Sequence, residues 1–226
     1  MDLSALASPV ILSLALATSV TLLLLVLSTP LAWWLAQGRG RGRHAVGALT
    51  SLPLVLPPTV LGFYLLLALG PQGPGGALAG LWGARTLAFS FIGLVIGSLV
   101  ASLPFMVQPL RNAFAGIGRE VIEAADTLGA SRRQRFWRVV LPLAGPGYLV
   151  GAIMSFAHTM GEFGVVLMIG GNIPGQTKVL SVALYDFVER LEWEKAHVLA
   201  AGMVLFGFLV IFSMLVLGRR SMGPVE

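Results

Sequence analysis

Residues 123–147 read EAADTLGASRRQRFWRVVLPLAGPG. Four arginines and two acids stand here in a chain that is 56% hydrophobic and only 11% charged. A soluble domain usually carries about 25% charged residues. With a mean hydropathy of +0.86 over 226 residues, the chain reads as an all-α, polytopic membrane protein. The charged stretch must therefore lie outside the hydrocarbon, and the segments around it must span.

Spanning helices need about 20 apolar residues each. Five segments qualify: Val10–Ala36, Val46–Leu69, Thr86–Leu110, Pro142–Ile169 and Ala196–Leu217. They are apolar all round, so length rather than periodicity identifies them. Pro53, Pro57 and Pro58 fall at or within the second span and predict a kinked helix that lines a cavity or is merely bent. The N-terminal MDLSALASP lacks the positive stretch of a secretory signal, so the first apolar segment reads as a retained helix.

The basic residues predict the orientation. Arg39, Arg41 and Arg43 follow the first span, Arg111, Arg119, Arg132, Arg133, Arg135 and Arg138 the third, and Arg219 and Arg220 the fifth. Those 11 residues fall on alternate loops, against Arg85, Lys178, Arg190 and Lys195 on the others. The bias places the first set in the cytoplasm, with the N-terminus outside and the C-terminus inside.

Within 119–142 the local signals predict two short helices with a hinge. Val121, Ala125 and Leu128 recur at helical spacing, and Gly129 supplies a left-handed stop. Ser131 and Gln134 fit a capping box opening a second helix, which Pro142 breaks or kinks. Read from chemistry alone, the hairpin is a headgroup-facing loop, a DNA-binding turn, or an amphipathic helix offered to a groove on a soluble partner. The closely flanking spans disfavour DNA.

The spacing Glu123-Ala124-Ala125, then Gly129, then Val139, Leu141 and Pro142 resembles the signature of ABC-type importer permeases, with Val139 where isoleucine is usual. The resemblance implies that 119–142 is a cytoplasmic coupling loop inside a single permease domain, 1–226. Glu123, Ala124, Ala125, Gly129, Arg132, Leu141 and Pro142 would contact or position a nucleotide-binding subunit. The runs SLPLVLPPTVLGFYLLLALG (51–70) and GEFGVVLMIGGNIPGQTKVLSVALYDFVE (161–189) are similar to the molybdate permeases of that family. The sulfate and tungstate permeases share the outline. The implied partners are a second copy, two ATPase subunits holding ATP and Mg, and an extracytoplasmic solute-binding protein, in a bacterial or archaeal inner membrane.

The chain itself has no phosphate-binding loop. Lys178 and Lys195 are followed by Val179 and Ala196, not by Ser or Thr. No zinc-protease or nucleophile-elbow motif appears, so a non-catalytic subunit without its own cofactor or metal is expected. An intramembrane enzyme or an ion-coupled carrier is the alternative of another class.

For a dianionic cargo, hydroxyls, amides and helix N-termini suit transient contact better than fixed cations. Thr59, Ser98, Ser102, Ser155, Thr159 and Asn172 are the candidates along a pathway, each equally readable as helix packing. Glu162 has the wrong sign for an anion path and reads as a structural acid capping a turn, with His158 one turn earlier as a partner. Leu180, Leu184, Phe187 and Leu191 predict a short amphipathic helix on the outer face, lying in the interface or receiving the binding protein.

Overall fold

The computed structural model describes residues 4–38 and 40–221; Arg39 of the basic count lies outside them. Every regular element among the described residues is helical. Three helices form the frame: α1 (Ser4–Ala36), α5 (Phe91–Ala115) and α9 (Gly145–Gly161). Their inner faces are built from Leu16, Val20 and Leu24 of α1 and Leu94, Met106 and Leu110 of α5, each at most 1% exposed. Contact between α5 and α9 is close because Gly147 has no side chain. A Cβ there would sit 2.4 Å from the Ala113 Cβ.

The second span differs from one kinked helix. It is α2 (Arg41–Ser51), a 3-10 turn Leu52–Leu54, and α3 (Pro58–Leu69), with the two arms bent by 109°. Pro57 and Pro58 are consecutive, so two backbone donors are missing. The residue before a proline is also pushed out of the helical region. Pro57 accordingly takes ψ 132, and Pro58 restarts the helix at its first position.

α4 (Pro74–Ala79) and a 3-10 turn (Gly80–Trp82) fill the connection to α5. The third span begins at Phe91 rather than Thr86. Thr86 instead donates its hydroxyl to the Leu69 carbonyl at 2.9 Å, and Ser90 caps the helix by accepting from Gly93 N at 3.1 Å. The helix runs past Leu110 to Ala115.

Beyond it, α6 (Arg119–Thr127), α7 (Arg132–Arg135), a π turn (Phe136–Val140) and α8 (Leu141–Leu143) form the arginine-rich segment. Pro142 does not end the helix. The wider π turn just before it absorbs the missing donor, and the chain bends by 64° only at the following Ala144–Gly145. The fourth span is likewise not one rod. It stops at Gly161 and resumes as α10 (Gly164–Gly170), which packs against α3 and α5.

α11 (Leu180–Glu189) does not lie loose on the surface: Leu180, Val182 and Ala183 are buried. Leu191, expected on its apolar face, is 68% exposed. α12 (Trp193–Ser221) closes the chain with Val204, Leu205, Phe208 and Phe212 exposed. Among the described residues three helices are long and apolar enough to cross a membrane, and up to five crossings result when each bent pair counts as one.

Candidate functional site: the arginine-rich hairpin and the α5–α9 polar cluster

At the end of α6 the chain reverses through Gly129, whose φ of +76° lies in the left-handed region. Ala130 N donates to Ala125 O at 3.1 Å and Gly129 N to Asp126 O at 2.9 Å, the paired bonds of a Schellman turn. Across the turn, Gln134 N donates to Ser131 Oγ and Ser131 N to Gln134 Oε1, closing the capping box. A charge-assisted bond from Arg135 to Asp126, at 2.5 Å, ties the second helix to the first. The hairpin is thus locked by local contacts on both sides of its hinge.

Its outer surface carries the expected residues and some unexpected ones. Glu123, Ala124, Gly129 and Arg132 are exposed, while Ala125 is buried. Leu141 is half-buried and Pro142 exposed. Leu128, expected to share a stripe with Ala125, is 87% exposed, and Val121 and Trp137 are exposed with it. The helix ends at Thr127, so Leu128 leaves the helical face as the chain turns. A large apolar side chain immediately before a stop glycine was the available signal.

An aromatic junction joins the hairpin to the frame. Trp33 of α1 meets Phe114 of α5 edge-on at 5.2 Å and Phe136 of the π turn at 5.8 Å. Phe114 meets Tyr148 of α9 at 6.1 Å, and the Tyr148 hydroxyl shares a hydrogen bond with Thr29 Oγ1 at 2.8 Å. Each ring pair adds about 0.5–1.5 kcal/mol beyond burial. The hairpin thus touches α1 through Phe136 and Trp33, and α5 and α9 through the rings behind them. No periodicity or motif marked these rings.

The second cluster lies between α5 and α9. Ser102 Oγ shares hydrogen bonds with Thr159 Oγ1 at 2.9 Å and His158 Nδ1 at 3.0 Å. His158 stacks on Phe105 with centroids 4.1 Å apart. Ser98 and Ser155 stand on the same two helices, fully buried, with no hydrogen-bond partner for either hydroxyl. Thr59, in the first turn of α3, is exposed and does not join them. Nor does Asn172, whose side-chain amide donates to Asp186 at 3.2 Å in the loop before α11.

Glu162 occupies the break between α9 and α10. Its Oε1 accepts from Val165 N at 3.0 Å, which caps α10, and its Oε2 lies 3.5 Å from His158 Nε2. Its carbonyl accepts from Ser181 Oγ of α11 at 2.6 Å. One buried acidic residue thus bonds to three helices at a break.

At the far end of the molecule Asp186 is bound by Lys178 at 2.5 Å and Arg190 at 3.1 Å. Burial pushes its carboxyl upward, but the hydrogen bond and charge of Lys178, then Arg190 and Asn172, outweigh this and hold it below its ordinary value. Among the described residues no group of His, Asp and Glu is arranged to hold a metal ion.

Residues 28–222 match the family model of binding-protein-dependent transport system inner membrane components. The chain belongs to this family. It is 57% identical over 203 residues to the molybdenum transport system permease protein ModB of Azotobacter vinelandii, covering 90% of each chain. With the ModB of Escherichia coli K12 the identity is 37% over 180 residues, covering 80% of this chain and 79% of that one. The sulfate transport system permease protein CysT of Escherichia coli K12 is 33% identical over 200 residues, covering 85% and 71%. A bacterial alginate ABC transporter, solved in complex with an alginate pentasaccharide-bound periplasmic protein, shares the fold. That likeness has a TM-score of 0.75 at 16% identity over 97% of this inner membrane component and 80% of that chain.

Proposed function

We propose that this chain is the membrane-spanning subunit of an ATP-driven molybdate importer, acting as one permease domain over 1–226. Two copies enclose the pathway, and two separate ATPase subunits bind ATP and Mg and dock on the hairpin within 119–142. A solute-binding protein delivers the oxyanion at the α11 end. The hairpin lies in the cytoplasm, the N-terminus outside and the C-terminus inside, in a bacterial or archaeal inner membrane. The substrate reading is supported by the likeness to molybdenum permeases over nine-tenths of the chain.

One observation carries the mechanism: the hairpin is closed by local hydrogen bonds around Gly129, exposed along Glu123, Ala124, Leu128 and Arg132, and joined through Trp33 and Phe136 to the spanning helices. ATP-driven closure of the ATPase pair moves it as a lever. Ser98, Ser102, Ser155 and Thr159 are buried when α5 and α9 are together. They offer their hydroxyls to the oxyanion when the helices part, whereas Thr59 and Asn172 serve at the two approaches.

The test is ATPase activity of the permease reconstituted with its ATPase subunit and binding protein, titrated with molybdate, tungstate and sulfate. Stimulation by molybdate, and by the similarly sized tungstate, but not by sulfate is expected. Stimulation by sulfate alone would move the substrate to that of the CysT relatives and leave the lever intact. Failure of any ATPase subunit to associate would refute the coupling role. The chain has no cysteine, so Ser98→Cys reports the pathway directly. Labelling by a water-soluble thiol reagent only during turnover is expected, and identical labelling at rest would remove Ser98 from the pathway.

A further inference from the structure

A groove of 250 Å³ separates the end of α1 from the start of α2 and the end of α5. It is lined by Leu35, Arg43, His44, Gly47 and Arg111 and shares Leu35, His44 and Arg111 with a wider groove of 1030 Å³ reaching Phe114, Ile117 and Arg119. Among the described residues the lining of both contains no carboxylate, and neither Arg43 nor Arg111 takes part in an ion pair. Both arginines are only partly exposed. Two cations lining one half-buried groove repel one another, and an anion bound there removes that cost.

The position of the groove selects the anion. Arg111 is the first charge after the apolar length of α5, and Arg43 follows the apolar length of α1. Both therefore sit where hydrocarbon gives way to headgroups. Trp33 and Trp34 stand at the same level, with the Arg43 guanidinium 5.2 Å from the Trp34 ring centroid. Aromatic rings and basic side chains gather at that depth of a bilayer. The lining of the wider groove mixes the apolar Ile117 and Ile122 with the cationic Arg111, Arg119 and Arg135. That combination suits a phosphate attached to acyl chains better than a free, fully hydrated ion.

We propose that Arg43, His44 and Arg111 form a binding site for the phosphate of an anionic phospholipid, which wedges between α1, α2 and α5. Basic pockets between spanning helices are a known way of holding such headgroups. The site lies at the start of α2, the short first arm of the second span, whose other end leads into the 109° break. A bound lipid therefore fixes the tilt of α2 against α5, beside the Gln108 to Ser51 hydrogen bond of 2.7 Å. The proposal is independent of the cargo assignment.

The experiment is native mass spectrometry of the full-length chain in detergent, titrated with phosphatidylglycerol or phosphatidylcholine. Wild type is expected to retain phosphatidylglycerol on the order of tenfold more tightly than phosphatidylcholine. The Arg43→Gln/Arg111→Gln variant is expected to lose that preference, and Arg111→Lys to keep most of it. Circular dichroism and melting in detergent check that each variant is folded. If the double variant does not fold, the arms with Arg111→Gln alone decide. Equal retention of the two lipids by wild type, or unchanged preference in the Gln variants, would overturn the site. Displacement of the lipid by millimolar inorganic phosphate would assign the groove to a free oxyanion instead and also overturn it. So would unchanged lipid retention together with lost binding of the ATPase subunit, which would make the groove a protein contact.

Discussion

The arginine-rich hairpin and the α9–α10 break are both short interruptions between apolar helices, yet they are built in opposite ways. The hairpin is closed by partners at most nine residues apart: Gly129 to Asp126, Ser131 to Gln134, Arg135 to Asp126. The break at Glu162 is closed by Val165 and His158 nearby, but also by Ser181 of α11, while His158 is held in turn by Ser102 of α5. A hairpin made of local bonds moves as one piece and suits a lever. A break whose bonds reach α11 and, through His158, α5 holds the helices in one arrangement and suits a joint.

The largest effect should come from the joint. Glu162→Ala removes the acceptor of Val165 N in a buried site, so the lost cap and an unsatisfied donor together cost about 2–3 kcal/mol. A drop in melting temperature in detergent is expected, and Glu162→Gln should recover most of it because its amide oxygen still accepts from Val165. Equal melting of all three proteins would break the comparison. Gly129→Val is next. The left-handed backbone costs a side chain about 1–2 kcal/mol, and a β-branched one at least that. Melting should fall modestly, while substrate-stimulated ATPase activity in the reconstituted complex falls about tenfold or more; unaltered stimulation would mean that the hairpin is no lever.

Ser131→Ala should cost about 1 kcal/mol, the usual loss for an N-cap, and should leave the Ser102–His158–Thr159 cluster untouched. Hydrogen exchange of α7 amides reads this directly, with faster exchange confined to the hairpin. The smallest effect is a pH dependence at the α11 end. The Asp186 carboxyl is held below its ordinary value of 3.8, so its stabilisation is complete above that value and is lost as pH falls through the lowered one. Acid should therefore loosen α11 in the wild type below about pH 3.8, whereas Asp186→Asn should show no such step. Limited proteolysis across that range distinguishes the two.

The difference in construction also explains what could be read beforehand. The capping box, the stop at Gly129 and the helix from Arg119 all follow from residues within a few positions of one another, and each stands where expected. Pro57 and Pro58 announced a disturbance in the second span, but not that its arms would diverge by 109°. Glu162 was legible as an acid out of place in an apolar run. The start of α5 was missed because Thr86 finds its acceptor on Leu69, in another helix. The Trp33–Phe114–Phe136 junction was invisible because its rings come from three separate stretches.

By itself, the sequence determined that the chain crosses a membrane, how many apolar segments it has, which loops are basic, and how the hairpin turns. Those properties depend on composition and on hydrogen bonds between near neighbours. Only the tertiary structure decided that Ser102 meets His158 and Thr159, that Ser98 and Ser155 are buried beside them, and that Leu128 faces outward while Ala125 faces in. The physical reason is that a helix apolar on every side carries no mark of which face is inward. That choice is made by close packing against other helices, where a missing Cβ at Gly147 or a ring at Trp33 selects the neighbour.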